Sequence, residues 1–299
     1  MPGLARWKEE YRLTLKRPEI EEPADLWLYR PLAFLLVKIL GPLPVSANHV
    51  SLASLAFGVG SGAFFALGDH AGDAAAAAAY FVCNVLDCAD GQLARVRGTG
   101  SPFGYVVDGW IDHVALLSVA LGIGFGFHAR HAGPASYWLL VGGGATIAWW
   151  SSIVEKLRHE WLHHTVPRYR SWQRELAAME RLARRWRRVG THPGERALVA
   201  VYRGYRLFGA GAALQSIPAA ATLGKTDPAW IAAVRPVLRS AVSVGPSFQI
   251  TALVAAALVG RIEWYLWLAL VPGSLWAIGV LLVHRQRTKV LATLGTGLA

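Results

Sequence analysis

Four aspartates, Asp87, Asp90, Asp108 and Asp112, lie within or beside apolar runs, and no other residues in this sequence carry so clear a chemical demand. An Asp near the middle of a membrane helix costs about 2.5–3.5 kcal/mol on insertion scales, so four close together call for a compensating partner. Read as helix, Asp87, Asp90, Gly91 and Ala94 recur at the spacing that lines one face, and Gly104, Asp108 and Asp112 do the same on a following helix. The stretch between them, 96–103, is short and holds Gly98, Gly100 and Pro102, which predicts antiparallel neighbours with opposed carboxylates. Four like charges in one small space repel, and one or two divalent cations held by oxygen ligands relieve that repulsion. Two such ions about 3.5–4 Å apart suit displacement at phosphorus. Gly91 and Gly104 let a ligand or a neighbouring backbone approach at the level of the carboxylates. Arg95, one turn beyond Gly91, has the fixed charge and the fork of donors that fit a phosphate. A purely structural reading, helix-end acids paired with nearby arginines, falls short because Arg95 and Arg97 are too few to neutralise four acids.

The run DxxDGxxAR, then eight residues, then GxxxDxxxD resembles the signature of the CDP-alcohol phosphotransferase (CDP-alcohol phosphatidyltransferase) family. Each specified position is filled, by Asp87, Asp90, Gly91, Ala94, Arg95, Gly104, Asp108 and Asp112, and the resemblance covers about residues 45–155. It implies two Mg2+ or Mn2+ ions held mainly by Asp87, Asp90 and Asp108, with Asp112 as general base and a fourth ligand. It also implies a CDP site at Gly91, Ala94, Arg95 and Gly104, and a homodimer. The family often has an Asn and a Ser or Thr near the cytidine end of the nucleotide, a pattern that Asn48 and Ser51 match. Asn48 equally suits the N-cap of the helix that opens there. His113 follows Asp112 but points about a third of a turn away, as a packing or hydrogen-bonding residue would.

The chain around this motif is hydrophobic at 54% and carries 13 Trp, while its charged fraction of 16% is well below the quarter usual in soluble domains. It reads as an all-α integral membrane protein. The net charge of +11 comes with no nucleic-acid motif, so it points to anionic headgroups and a cytoplasmic face, not to nucleic acid. Cys83 and Cys88 lie five apart on one predicted helix and point in different directions, which argues against a disulfide or zinc site. The first thirty residues lack the apolar core of a signal peptide, so the N-terminus is expected in the cytoplasm.

Four segments follow: an interfacial N-terminal part (1–45), four spans carrying the signature (46–155), a basic insert (156–239), and two spans with a basic tail (240–299). The expected spans are 50–68, 74–96, 103–127, 134–154, 240–260 and 264–283, with the run Ala74 to Ala79 as close helix packing. Residues 26–40 are interrupted by Arg30, Pro31 and Lys38, and read either as an in-plane helix or as one packed against the spans. Within the insert, Leu176, Met179, Leu182, Ala183 and Trp186 form one face of a basic amphipathic helix suited to an anionic leaflet. Lys156, Arg158 and Arg168 are the candidates there for the phosphate or headgroup of an acceptor. Residues 207–224 are only marginally apolar and read as a surface or re-entrant segment. Six spans with a cytoplasmic N-terminus leave Arg130 and Arg261 as the Lys and Arg on the far side. That topology places the carboxylates at the cytoplasmic end, in the inner membrane of a cell, where a cytidine nucleotide is available.

The resemblance implies transfer of a phosphoalcohol, with phosphatidyl from CDP-diacylglycerol as the leading donor and release of CMP. The N-terminal pattern and the long insert resemble a bacterial subgroup connected with inositol lipids, so inositol or inositol phosphate is the expected acceptor. Transfer from CDP-choline or CDP-ethanolamine to a lipid hydroxyl is the alternative. Two other classes use acidic clusters: intramembrane prenyltransferases, whose first motif Asn84, Asp87 and Asp90 partly match, and divalent-cation channels or transporters. The first needs a second acidic motif far downstream, and the second a route through the membrane. Neither feature is visible in this chain.

Overall fold

The computed structural model describes residues 2–15, 17, 19–99, 102–166, 172–191, 196–197, 199–200 and 228–296. The described residues contain helices and no strand, as expected. They divide into two compact units, Met1–Ile147 with Ser243–Ser274, and Ala148–Val242 with Leu275–Ala299.

The first unit begins with α1 (Pro2–Thr14). A single π-helical turn, Asp25–Tyr29, then runs into α2 (Arg30–Leu40). Next come α3 (Ala47–Phe65), α4 (His70–Arg97) and α5 (Pro102–Ala129), followed by α6 (Pro134–Thr165), which crosses into the second unit. The second unit adds α7 (Trp172–Val189) and α8 (Pro228–Val242). After α8, the first unit takes up α9 (Pro246–Leu258), α10 (Ile262–Leu268) and a second π-helical turn, Ala269–Gly273. The last helix, α11 (Ser274–Thr296), belongs almost wholly to the second unit.

Helix α3 packs against both α4 and α5, and its composition explains how. A Cβ at Gly122 of α5 would stand 2.0 Å from the carbonyl oxygen of Gly62, so the two backbones meet where only glycine fits. Towards α4, Ser54 Oγ donates to the Cys83 carbonyl at 2.9 Å and Ser61 Oγ to that of Ala76 at 2.9 Å. Ala76 and Ala77 of the alanine run are buried. One apolar cluster, including Phe65, Tyr80, Ile123, Phe127, Leu253 and Tyr265, fills this bundle. A second, with Tyr29, Ala33, Val37, Val50, Cys88 and Leu93, joins α2 and α3 to the signature end of α4. Cys83 and Cys88 are both buried and are not joined in a disulfide.

At the opposite end of α4, Asp69 caps the helix through the Gly72 N–H at 2.6 Å. The buried Asp73 accepts from Arg130 Nη2 at 2.5 Å, while Arg130 Nε donates to the Gly68 carbonyl at 2.9 Å. Helix α2 packs against the bundle, the second reading of its stretch. Tyr29, Ala33, Phe34 and Val37 are buried on one side and pack toward α4, while Trp27, Leu35 and Ile39 are exposed on the other.

Among the described residues, the helical stretches Asp108–Ala129, Pro228–Leu258 and Ile262–Leu291 are long and apolar enough to cross a membrane. They fall on the third, fifth and sixth expected spans. The fifth is interrupted where 240–260 was expected to run on, because α8 ends at Val242 and Pro246 opens a new helix after Gly245. In the second unit, the ring of His164 stacks on Trp230 at 3.9 Å and His284 Nε2 meets Glu160 Oε2 at 3.1 Å. On α7, Met179 is buried while Arg181, Arg184, Arg185, Arg187 and Arg188 are exposed. Residues 207–224 lie outside the described residues.

Candidate metal and nucleotide site

Near its C-terminal end, α4 presents Asp87 and Asp90, and α5 presents Asp108. One carboxylate oxygen from each lies within 4.8 Å of the others. Asp90 is buried, at 5% exposure, and its two neighbours are half-buried, so water screens the group poorly. Three carboxylates on two helices form a hard, all-oxygen donor set that fits a divalent cation such as Mg2+ or Mn2+. Asp112, one turn further along α5, stands outside this trio and is exposed. It is close enough to Cys83 to act electrostatically on its thiol, as Asp87 does.

Ser51 Oγ donates to Asp90 Oδ2 at 2.5 Å, which ties the first turns of α3 to the carboxylates. Ser46, not Asn48, is the N-cap of α3. Its side chain accepts from the His49 N–H at 3.3 Å, and the His49 ring nitrogen accepts from the Ser46 N–H at 3.2 Å. This reciprocal cap overturns the capping role for Asn48 and leaves its amide exposed, three residues before Ser51. His113 Nδ1 contacts the Gly109 carbonyl within its own helix, in keeping with a hydrogen-bonding residue.

Gly91 and Arg95 act together. A Cβ at Gly91 would meet the Arg95 guanidinium, with Nη1 at 3.4 Å, so the arginine tip lies over the bare backbone of the preceding turn. Arg95 Nε donates to the carbonyl of Thr14 at 2.7 Å. Ala94 lies on the same helix, and Gly104 lies in the first turn of α5. Of the acceptor candidates, Lys156 and Arg158 lie on α6 within the second unit, and Arg168 is outside the described residues.

Residues 44–172 match the family model for CDP-alcohol phosphatidyltransferase. Over this stretch the chain is similar to a CDP-alcohol phosphatidyltransferase domain. No curated protein matches the chain. The matched residues take in α3 to α6 and all four aspartates, and the family they resemble is one of transferases that act on CDP-alcohols. Such enzymes generally use a divalent metal, which accords with the carboxylate trio. With three long apolar helices among the described residues, the chain fits a membrane protein, and the matched family is one of phospholipid synthesis.

Several groups that shape this domain's site were not singled out as such in the sequence. Arg97 donates to the carbonyls of Leu40, Gly41, Leu43 and Val45, and so fastens the connection that leads into Ser46, Asn48 and Ser51. Thr14, Glu21 and Arg30 lie ahead of the matched residues, yet Thr14 meets Arg95 and Arg30 meets Gln92 of the signature helix, with Glu21 paired to Arg30. Their sequence signal is faint: an acidic patch and two basic residues in a segment that reads as interfacial.

Proposed function

We propose that this protein transfers the phosphatidyl group of CDP-diacylglycerol to a small polar alcohol, inositol or inositol phosphate, and releases CMP. The observation that carries the reading is the convergence of Asp87, Asp90 and Asp108 from two helices of a CDP-alcohol phosphatidyltransferase domain. Those three residues would hold two divalent cations, Mg2+ or Mn2+, with Asp112 as a further ligand. When bound, the cations supply charge neutralisation for the diphosphate and for the departing CMP.

The chain's own groups divide the remaining work. Asp112 is exposed beside the trio and serves as general base, taking the proton of the acceptor hydroxyl as that oxygen bonds to the phosphatidyl phosphorus. The bond from that phosphorus to the CMP oxygen breaks, and the electron pair leaves with CMP. Arg95 directs a fixed positive charge over Gly91 towards the diphosphate. Ser51 orients Asp90, and the exposed amide of Asn48 is left to meet the cytidine end. Ala94 and Gly104 complete the nucleotide contacts as small residues that admit it. The protein crosses the inner membrane six times and turns this site to the cytoplasm, which the distribution of Lys and Arg in the sequence supports.

The deciding experiment measures CMP release from purified protein in lipid-detergent micelles with Mg2+. CDP-diacylglycerol is offered with inositol, inositol phosphate, glycerol phosphate and serine, and CDP-choline and CDP-ethanolamine with diacylglycerol. CMP release with CDP-diacylglycerol and an inositol acceptor, abolished by Asp112→Asn, is the expected result. Turnover of CDP-choline or CDP-ethanolamine in its place overturns the donor assignment. A folded, metal-binding protein that releases CMP from no pairing overturns the reaction.

A further inference from the structure

The residues before the matched domain are built into the signature helix more firmly than an interfacial anchor requires. Glu21 and Arg30 form an ion pair, Arg30 Nε to Glu21 Oε2 at 2.7 Å, with only 2% and 6% of the two side chains exposed. The backbone carbonyl of Arg30 accepts from Gln92 Nε2 at 3.1 Å, and Gln92, on the turn between Asp90 and Arg95, is fully buried. Glu22 turns the other way and accepts from the N–H groups of Ser247 and Phe248, at 2.8 and 3.3 Å, at the start of α9. Tyr11 OH donates to the Leu26 carbonyl at 3.2 Å, which holds the end of α1 against the same segment. Through these contacts the carbonyl of Thr14, itself 1% exposed, is delivered to Arg95 Nε at 2.7 Å.

An arginine side chain carries about 2 kcal/mol of rotamer entropy, and its fork is useful only where its direction is set. Here Nε is occupied by Thr14 and the terminal nitrogens lie over Gly91. Arg30 and then Glu21 are the charged groups that act most strongly on Arg95. Their pairing keeps the buried Arg30 from standing as a bare second cation beside it.

We propose that Glu21 and Arg30 are positioning residues for the nucleotide site. They fix the segment that gives the Thr14 carbonyl to Arg95, and through Arg95 they set affinity for the CDP part of the substrate. This rests on the phosphotransferase reading above for the identity of the ligand. The N-terminal segment then belongs to the nucleotide site in the full chain, although it lies outside the matched domain.

The test uses the full-length protein in lipid-detergent micelles with Mg2+. It reads the Kd for CDP itself, together with kcat and KM for CMP release. Removing one charge would strand its buried partner, so the main variant is the pair E21Q/R30Q, accompanied by R30K, R95K and the combination of the pair with R95K. The pair is expected to raise the Kd for CDP about tenfold, the lower end of what losing an outer partner of a binding group costs, with kcat changed less than about twofold. R30K, which keeps the charge on Glu21, should recover most of the loss. In the R95K background, adding the pair should change the Kd less than about twofold, because the path through Arg95 is already broken.

Effects of the pair and of R95K that multiply independently overturn the inference, as does a folded pair variant with wild-type CDP affinity. If the pair variant does not fold, R30K alone and with R95K poses the same question by the same cycle. Wild-type protein that binds CDP but releases no CMP defeats the phosphotransferase reading alone, and the CDP affinities still decide this inference. Wild-type protein that binds no CDP overturns both.

Discussion

Ser51→Ala isolates how α3 contributes to the carboxylate trio. Its hydroxyl donates to Asp90 at 2.5 Å, and Asp90 is 5% exposed, so water is poorly placed to replace the lost donor. A hydrogen bond to a charged group contributes about 1.5–3 kcal/mol to a folded site. At about 1.4 kcal/mol per factor of ten, this corresponds to roughly ten- to hundredfold in the affinity of whatever Asp90 holds. The same range follows from outer partners of metal-binding carboxylates in general. We therefore expect Ser51→Ala to weaken Mn2+ binding by about that factor. The assay is titration of full-length protein in micelles with Mn2+ alone, read by electron paramagnetic resonance of the free ion, with CMP release against Mg2+ concentration as a second readout. Saturating Mg2+ should restore most of the rate. Unchanged Mn2+ affinity in folded Ser51→Ala would refute the argument that Asp90 is a metal-holding group oriented from α3. A rate loss that Mg2+ does not rescue would place the role of Ser51 on the substrate.

Three further outcomes follow from other contacts. Arg97→Gln releases the carbonyls of residues 40–45, two of them exposed enough for water to replace, so it should cost about 2 kcal/mol in thermal unfolding and weaken CDP binding through the loosened Asn48 turn; wild-type CDP affinity in this variant would disconnect that turn from the nucleotide. Arg130→Gln strands the buried Asp73, whose carboxyl burial already pushes up against the opposing effect of Arg130. A raised folded value means that stability is lost as pH rises from the ordinary carboxylate range through that value, so the variant should lose about 3 kcal/mol at neutral pH, less at pH 4, and regain stability with Asp73→Asn added. Equal destabilisation at both pH values would contradict this. Trypsin should cut the exposed Arg184 to Arg188 stretch of α7 several-fold more slowly in nanodiscs containing phosphatidylglycerol than in phosphatidylcholine alone, and equal rates would remove the anionic-leaflet reading.

What could be read from the sequence was local. The aspartates of α4 and α5 repeat at intervals of three or four residues, and helix geometry turns such intervals into a shared face without help from the rest of the chain. Opposing the two faces needed only a short connection, and the structure brings Asp87, Asp90 and Asp108 within 4.8 Å. The capping role of Asn48 was a local inference too, and it failed for a local reason. Ser46 and His49 satisfy each other's backbone N–H, a pairing in which His takes the place usually held by Glu or Gln.

Hydropathy gave a blurred picture where helices pack most closely. Gly62 and Gly122 admit backbone contact, and Ser54 and Ser61 satisfy carbonyls of the neighbouring helix, so α3 is built from residues that lower its apolar character while serving a buried interface. Arg30 hid its role in a similar way. It marks an interruption in residues 26–40 that left an in-plane and a packed helix both open, whereas its charge is buried against Glu21, nine residues earlier, and its backbone is held by Gln92, sixty-two residues later. No period in the sequence encodes pairings of that range. They arise once α2 and α4 share a core around Tyr29, Ala33, Cys88 and Leu93 and bring their polar groups together. The carboxylates thus follow from helix periodicity, whereas the direction of Arg95 follows from tertiary packing. A motif search confined to the signature finds the first and misses the second, because the Thr14 carbonyl that holds Arg95 has no side-chain signature at all.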